Sequence, residues 1–239
     1  LPINSHPPDA LSFIAEVEQA YANLMHFAAP SEDSLGGKLL YAGELDERGR
    51  ILAIAGNVGG AATLAASAHA TTLRQAMRSG VIDFLVNSLD EALRILKNEI
   101  RKREPVSVAV SIAPQAIVKE MLDRGVLPDL LPPQPQSTSA DSQIETFIAQ
   151  GAQPVAPVPF QGASKLLIWQ IPAEFVQRPA AFDALLLQHL PAGDHATSRW
   201  LRQSPRYLGP QFRRLRSLTC DEETASKLID VLGSPFQNN

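Results

Sequence analysis

Cysteine is almost absent from the 239 residues. Cys220 stands alone, so this chain can form neither an internal disulfide nor a cysteine-built zinc site. That usage fits a reducing cytoplasm. Long hydrophobic runs are missing as well, because polar residues break every apolar stretch short of the ~18 residues a membrane helix needs. The opening Leu1-Pro2-Ile3-Asn4-Ser5 lacks the basic segment and apolar core of a secretion signal. The chain begins with Leu rather than Met, so a targeting segment further upstream would not be visible in it. Neither sign of charge dominates. A formal net charge of −4 gives no overall attraction to nucleic acid or to an anionic membrane, and leaves only local basic patches to consider.

Catalytic signatures are also scarce. There is no Gly-x-Ser-x-Gly elbow, no Gly-Lys-Ser/Thr phosphate loop and no His-Glu-x-x-His pair, so acyl transfer and P-loop chemistry have no sequence support. The five histidines are scattered. His189 and His195 flank Asp194, but with Pro191 and Gly193 between them they fix no ligand geometry and read as solvated loop residues. No metal is expected. Cys220 sits between Thr219 and the acidic Asp221, surroundings that do not lower a thiol pKa, and it reads as passive. Asp46-Glu47 and Glu222-Glu223 read as ordinary solvated charges.

What is present is a sequence of alternating elements. Leu11, Ile14, Val17, Tyr21, Leu24 and Met25 recur at spacings of three and four, which predicts a helix over 9–28, entered at Pro7-Pro8 and closed by Pro30. Lys38 to Ala42 reads as a strand and Glu44 to Gly49 as a polar turn. Arg50 to Ala55 is a short apolar run without alternation, the pattern of a strand buried on both faces. Gly56 to Gly60 then reads as a turn, and the Ala/Leu/Thr-rich residues 60–79 as a helix ending at Gly80. Val81 to Val86 is the next strand. Ser88-Leu89-Asp90-Glu91 is a capping box that opens a helix ending in Arg101-Lys102-Arg103. Pro105 to Ile112, Pro114 to Arg124 and Leu127 to Leu131 read as strand, helix and strand. Pro132 to Gln143, rich in Pro, Gln and Ser, reads as a loop. Beyond it come a helix over 144–150, a strand over Lys165 to Ile171 and helices over Phe182 to Leu190 and Asp221 to Leu232.

The stretch Gly56-Asn57-Val58-Gly59-Gly60-Ala61-Ala62-Thr63-Leu64-Ala65-Ala66 resembles the glycine-rich turn of urocanases, which runs into Gly-Gly-Ala-Gln-Pro-Leu-Ala-Ala. Downstream, Arg78-Ser79-Gly80, Asn87-Ser88-Leu89-Asp90-Glu91-Ala92-Leu93 and the Arg124-Gly125-Val126…Asp129 region are similar to further family segments in the same order. The likeness covers about residues 48–131. It implies NAD, which urocanase uses as an electrophile, held at Gly56, Asn57, Val58, Gly59, Gly60 and Ala61, with Asn87 as a further contact. Glycine tolerates positive φ and close backbone approach, and a helix N-terminus favours phosphate, so such a turn suits a pyrophosphate. The alternative is that Gly59-Gly60 only allows a tight turn and close helix packing.

Three departures accompany the resemblance. Relative to the family, about ten residues look missing between Ala70 and Arg78, which would delete the acidic strand that supplies a ribose partner. Asp83 and Asn87 are the nearest substitutes. The family's Asp-Gln-Thr-Ser-Ala-His-Asp segment is reduced to a Ser/Thr/Asp remnant over Ser137 to Asp141, without the histidine. The catalytic Gly-Arg-Asp-His-Leu-Asp-Cys-Gly-Ser motif has no counterpart. His69 reads as a packing or surface residue on the helix behind the turn. Arg199, Arg202 and Arg206, in a segment that also holds Arg213, Arg214 and Arg216, are candidate anion-binding residues that meet the glycine turn, or else a solvated helix face.

These features predict an α/β fold, a Rossmann-like parallel sheet with flanking helices, a helical N-terminal arm (1–35) and a mixed C-terminal extension. The Rossmann-like domain spans 36–131 and the loop 132–143, and residues 144–239 are expected to complete the same unit. The expected function is a urocanase-like protein without hydratase chemistry that binds NAD, another nucleotide or a small anionic ligand. The alternatives are a structural or interaction domain that lost the cofactor, and an enzyme of unknown reaction that needs a partner. A homodimer is an open expectation. Nucleic-acid and membrane binding are not expected, and cytoplasmic location is.

Overall fold

The computed structural model describes residues 8–29, 32–133, 142–157, 164–191 and 193–232. The first helix, α1 (Pro8–Met25), buries Ile14, Val17, Tyr21 and Leu24 along the stripe its spacing predicted, while Pro7 and Pro30 lie outside the described residues. Strand β1 (Leu39–Glu44) follows, and its side chains alternate between the two faces of the sheet. Leu40 and Ala42 enter one core, Leu39 and Tyr41 the other.

The structure corrects the next two elements. Residues 47–59 form a helix, α2 (Glu47–Gly59), and Ala62–Ala66 is the strand β2. Every residue from Ile51 to Gly59 is buried, because α2 lies between the sheet on one side and α1 and a later helix on the other. A helix covered all round needs no polar stripe, so its 3.6-residue period disappears from the sequence and the run passes for a buried strand. A second parallel strand follows this helix: it is β2, whose residues read in the sequence as the start of a helix.

Helix α3 (Ala70–Arg78), strand β3 (Phe84–Val86), helix α4 (Leu89–Lys102), strand β4 (Val106–Val110), helix α5 (Pro114–Asp123) and strand β5 (Leu130–Leu131) continue the alternation. The Ser88 hydroxyl accepts from the Glu91 N–H at 3.3 Å, and the Glu91 carboxylate accepts from the Asn87 N–H at 3.0 Å, so the capping box forms. Helix α6 (Ser142–Ala149) and strand β6 (Gln153–Pro154) extend the sheet. All six strands are parallel, in the order β3-β4-β2-β1-β5-β6. This is the α/β Rossmann-like arrangement the alternating sequence implied. One core packs α4, α5 and α6 against one face, and the other packs α1, α2 and α3 against the opposite face.

The remaining described residues build a second, two-stranded sheet. Strand β7 (Ser164–Gln170) runs antiparallel to β8 (Leu215–Asp221) over seven residue pairs. Between them lie α7 (Pro179–Gln188) and α8 (His195–Tyr207), and α9 (Glu222–Leu232) follows. Strand β8 escaped the sequence reading, and helix α8 entered it only as the alternative of a solvated helix face. This sheet shares the core of α1 and α2: Trp200 of α8 sits 5.2 Å from Tyr21 of α1, ring centre to ring centre, and its indole N–H donates to the Ser217 carbonyl at 3.0 Å. Inside it, Arg216, 4% exposed, makes a two-pronged ion pair with Asp183. No described helix is long and apolar enough to cross a membrane.

Candidate functional site

From β1 the chain passes through β2 to the edge strand β3, fills the gap between them with β4, then crosses to the other side of β1 with β5. The reversal between β1 and β5 is the switch point at which open parallel sheets bind ligands, beyond the carboxyl ends of the strands. A crevice of about 760 Å³ opens there, within the size range of small-molecule sites. Its floor is the end of β1 and the start of α2, from Ala42 to Gly49. Pro132 and Pro133 follow β5 on one side, and the flank of α1 from Ser12 to Asn23 forms the opposite wall.

The end of β1, Gly43-Glu44, runs through Leu45-Asp46 into α2. Gly43 adopts φ +79°, a left-handed conformation that favours glycine. Gly49 lets α2 approach the strand end: a Cβ there would lie 1.8 Å from the Glu44 carbonyl oxygen. The N-terminus of α2 already holds an anion, since the Asp46 carboxylate accepts from the Gly49 N–H at 2.9 Å. Glu16 and Glu44 add carboxylates to the crevice, and Arg48 is the one basic side chain among its described lining residues. Sequence reading had taken this segment as a plain polar turn. The available signal was an apolar strand running into Gly43 and then Asp46, a helix-starting residue.

The residues expected to cradle a pyrophosphate lie elsewhere. Gly56, Asn57, Val58 and Gly59 form the last turn of α2, Gly60 is its left-handed cap at φ +93°, and Ala61 leads into β2. The expectation of a strand-to-helix turn over Gly56 to Gly60 is thereby corrected: these residues end a helix. A helix C-terminus presents carbonyls, not N–H groups, and the N–H groups of Gly60 and Ala61 are spent on the carbonyls of Asn57 and Gly56. Packing explains the glycines: a Cβ on Gly56 would meet Leu40 at 2.7 Å and Thr63 at 2.8 Å, and one on Gly59 would meet Leu35 at 2.9 Å. Asn57, 1% exposed, donates to the Val81 carbonyl and the Ser107 hydroxyl, both at 3.2 Å. Asn87 is exposed at the end of β3, three strands from β1, which is roughly 14 Å at the usual strand spacing.

Asp83, the other ribose candidate, precedes β3 and accepts from the Ser107 N–H and hydroxyl at the opposite, amino-terminal end of the sheet. At the carboxyl end of β2, where the ribose partner was sought, the chain reads Ala66-Ser67-Ala68-His69, without a carboxylate. His69 is an exposed residue before α3 rather than part of a helix behind a turn. The Ser/Thr/Asp remnant of 137–141 lies outside the described residues.

Of the three candidate anion-binding arginines, Arg199 does reach the glycine segment, but as a donor to protein: its Nε–H bonds the Val58 carbonyl at 2.7 Å and so caps the C-terminus of α2. Arg202 and Arg206 are exposed, and the Arg206 guanidinium lies 5.0 Å from the Tyr207 ring centre. Burial pushes the Cys220 thiol up to about 11, with Asp221, Glu18 and Asp194 adding to the shift. Among the described residues no group of three or more His, Cys, Asp or Glu could hold a metal ion.

Sequence reading also missed Glu18. It falls inside the apolar stripe of α1, four residues after Ile14 and three before Tyr21, where a charged side chain was the available signal. Its carboxylate accepts from the Ser217 hydroxyl at 2.6 Å and from the Thr219 N–H, tying α1 to β8. Burial pushes the carboxyl up to about 7, against the lowering effect of those hydrogen bonds.

Compared with known protein families, residues 17–157 match the model of the urocanase Rossmann-like domain.

Proposed function

This chain belongs to the family of the urocanase Rossmann-like domain, and we propose that it is a member without hydratase chemistry of its own that binds a small organic molecule, uncharged or cationic, in the switch-point crevice. The family implies NAD, and the residues present do not fit it. A pyrophosphate needs free N–H groups and positive potential at the start of α2. Here the Asp46 carboxylate occupies that position, with Glu44 beside it. Ribose recognition needs an acid at the end of the second strand, and β2 ends in Ala66-Ser67.

The acidic β1–α2 turn carries this reading. It leaves the crevice large and partly apolar, with Ile51, Leu52 and Leu166 in its walls, while biasing it against anions. The chain also lacks the residues of the family's catalytic motif. Heat-denaturing the purified protein and analysing the supernatant by mass spectrometry is the test. An organic molecule without phosphate is expected, and stoichiometric NAD overturns the proposal.

A further inference from the structure

The parallel sheet ends at β3 on one side and at β6 on the other, and the two edges differ. Strand β6 is two residues long and ends in Pro154, which has no N–H to offer a further strand. Strand β3 contains no proline, glycine or lysine and shows apolar side chains on both faces of the sheet. Phe84, 47% exposed, lies on the α4 face in register with Val108, and Leu85, 38% exposed, lies on the α3 face in register with Ala109. Of the five large hydrophobic side chains exposed among the described residues, these two and Met77 belong to β3 or to α3, the helix that leads into it. Apolar exposure gathered at an unpaired edge marks a surface that meets another chain.

The backbone fixes what can pair there. The Val86 carbonyl accepts from the Ser111 N–H at 2.9 Å, so the peptide groups of Val86 point toward β4. Successive residues of a strand alternate in this respect, so the N–H and C=O of Leu85 point outward, away from the sheet. We propose that β3 pairs antiparallel with β3 of a second copy of this chain, about a two-fold axis at Leu85, and joins the two parallel sheets into one.

Self-complementarity selects a second copy as the occupant. In an antiparallel hydrogen-bonded pair the two residues exchange both N–H···O bonds, so Leu85 opposite its own counterpart satisfies every outward group. The same register sets Phe84 opposite Val86 of the second copy, an aromatic against a β-branched side chain, and Asp83 opposite Asn87, so no like charges face each other. The neighbouring registers fail. They would set Leu85 opposite Asp83 or Asn87, whose N–H groups are taken by the Ser107 carbonyl and the Glu91 carboxylate. A two-fold contact between identical edges also closes at two copies, whereas β3 against β6 would propagate, and Pro154 opposes it.

Sedimentation equilibrium of the full chain is expected to show a reversible dimer at concentrations on the order of 100 µM. Leu85→Lys sets two ammonium groups opposite each other at the axis and should return the chain to monomer. Phe84→Lys should do the same, and serves if the first variant does not fold. In a Cys220→Ser background, Leu85→Cys should give a disulfide-linked dimer on mild oxidation, because hydrogen-bonded antiparallel partners hold their Cα atoms roughly 5.5 Å apart, within disulfide reach. Lys119→Cys, exposed on α5 over the middle of the sheet, should not. A monomer at that concentration, a dimer that survives a folded lysine variant, or a Leu85→Cys chain that cross-links no faster than Lys119→Cys overturns the proposal.

Discussion

One buried carboxyl and two missing side chains set the character of this molecule. Gly49 and Gly56 are seven residues apart on α2 and face the sheet, where a Cβ would meet the Glu44 carbonyl oxygen at 1.8 Å or Leu40 and Thr63 below 3 Å. Gly49→Ala should therefore cost about 3 kcal/mol, since backbone must move to admit the methyl. Gly125→Ala, which meets nothing within 4 Å and is strained only by φ +64°, should cost about 1 kcal/mol. Urea midpoints of the two variants decide whether contact or conformation governs these glycines. Glu18 makes a different prediction. Its carboxyl lies near 7 in the fold against an ordinary 4.5, so the folded state holds the proton more tightly. The stability this group contributes is complete below pH 4.5 and is lost as pH rises through 7, a change on the order of 3 kcal/mol. Glu18→Gln should flatten the urea midpoint across that window, and a wild-type slope that survives the substitution would assign it to another group.

At the scale of elements, α2 explains both what the sequence revealed and what it hid. The amphipathic helices were legible: α1 shows its stripe and α4 its capping box, because each has a wet face that imposes the period. The strands β1 and β4 were legible as apolar runs between turn residues. Helix α2 was not, because sheet, α1 and α8 cover it on all sides, and its glycines looked like a turn while serving as packing surfaces. One misread element made the last turn of a helix look like a strand-to-helix turn and made β2 look like the start of a helix. The C-terminal end of α2 depends on a residue 141 positions away, Arg199, whose Nε–H caps the Val58 carbonyl. Arg199→Met keeps most of the stem and should lower stability by about 1–2 kcal/mol, the worth of a charged bond at a helix C-terminus. An unchanged midpoint would show that this arginine is held at the cap without contributing to it.

On the scale of the whole molecule, the parallel sheet and its switch point were implied by the order of elements, and the match over residues 17–157 places that sheet in the urocanase Rossmann-like family. The second sheet was less legible. Strand β8 and helix α8 come from an arginine-rich segment that looked like one surface. In the fold its arginines separate into a helix cap, a buried ion pair with Asp183 and exposed side chains. The fold is that of the family, the start of α2 carries Asp46 and Glu44, and the proposal is that a dinucleotide is not accepted there. Calorimetric titration of the full chain with NAD at low ionic strength, where electrostatic attraction to phosphate is strongest, tests it most directly. No saturable binding is expected at millimolar NAD, and saturable one-to-one binding would overturn the proposal.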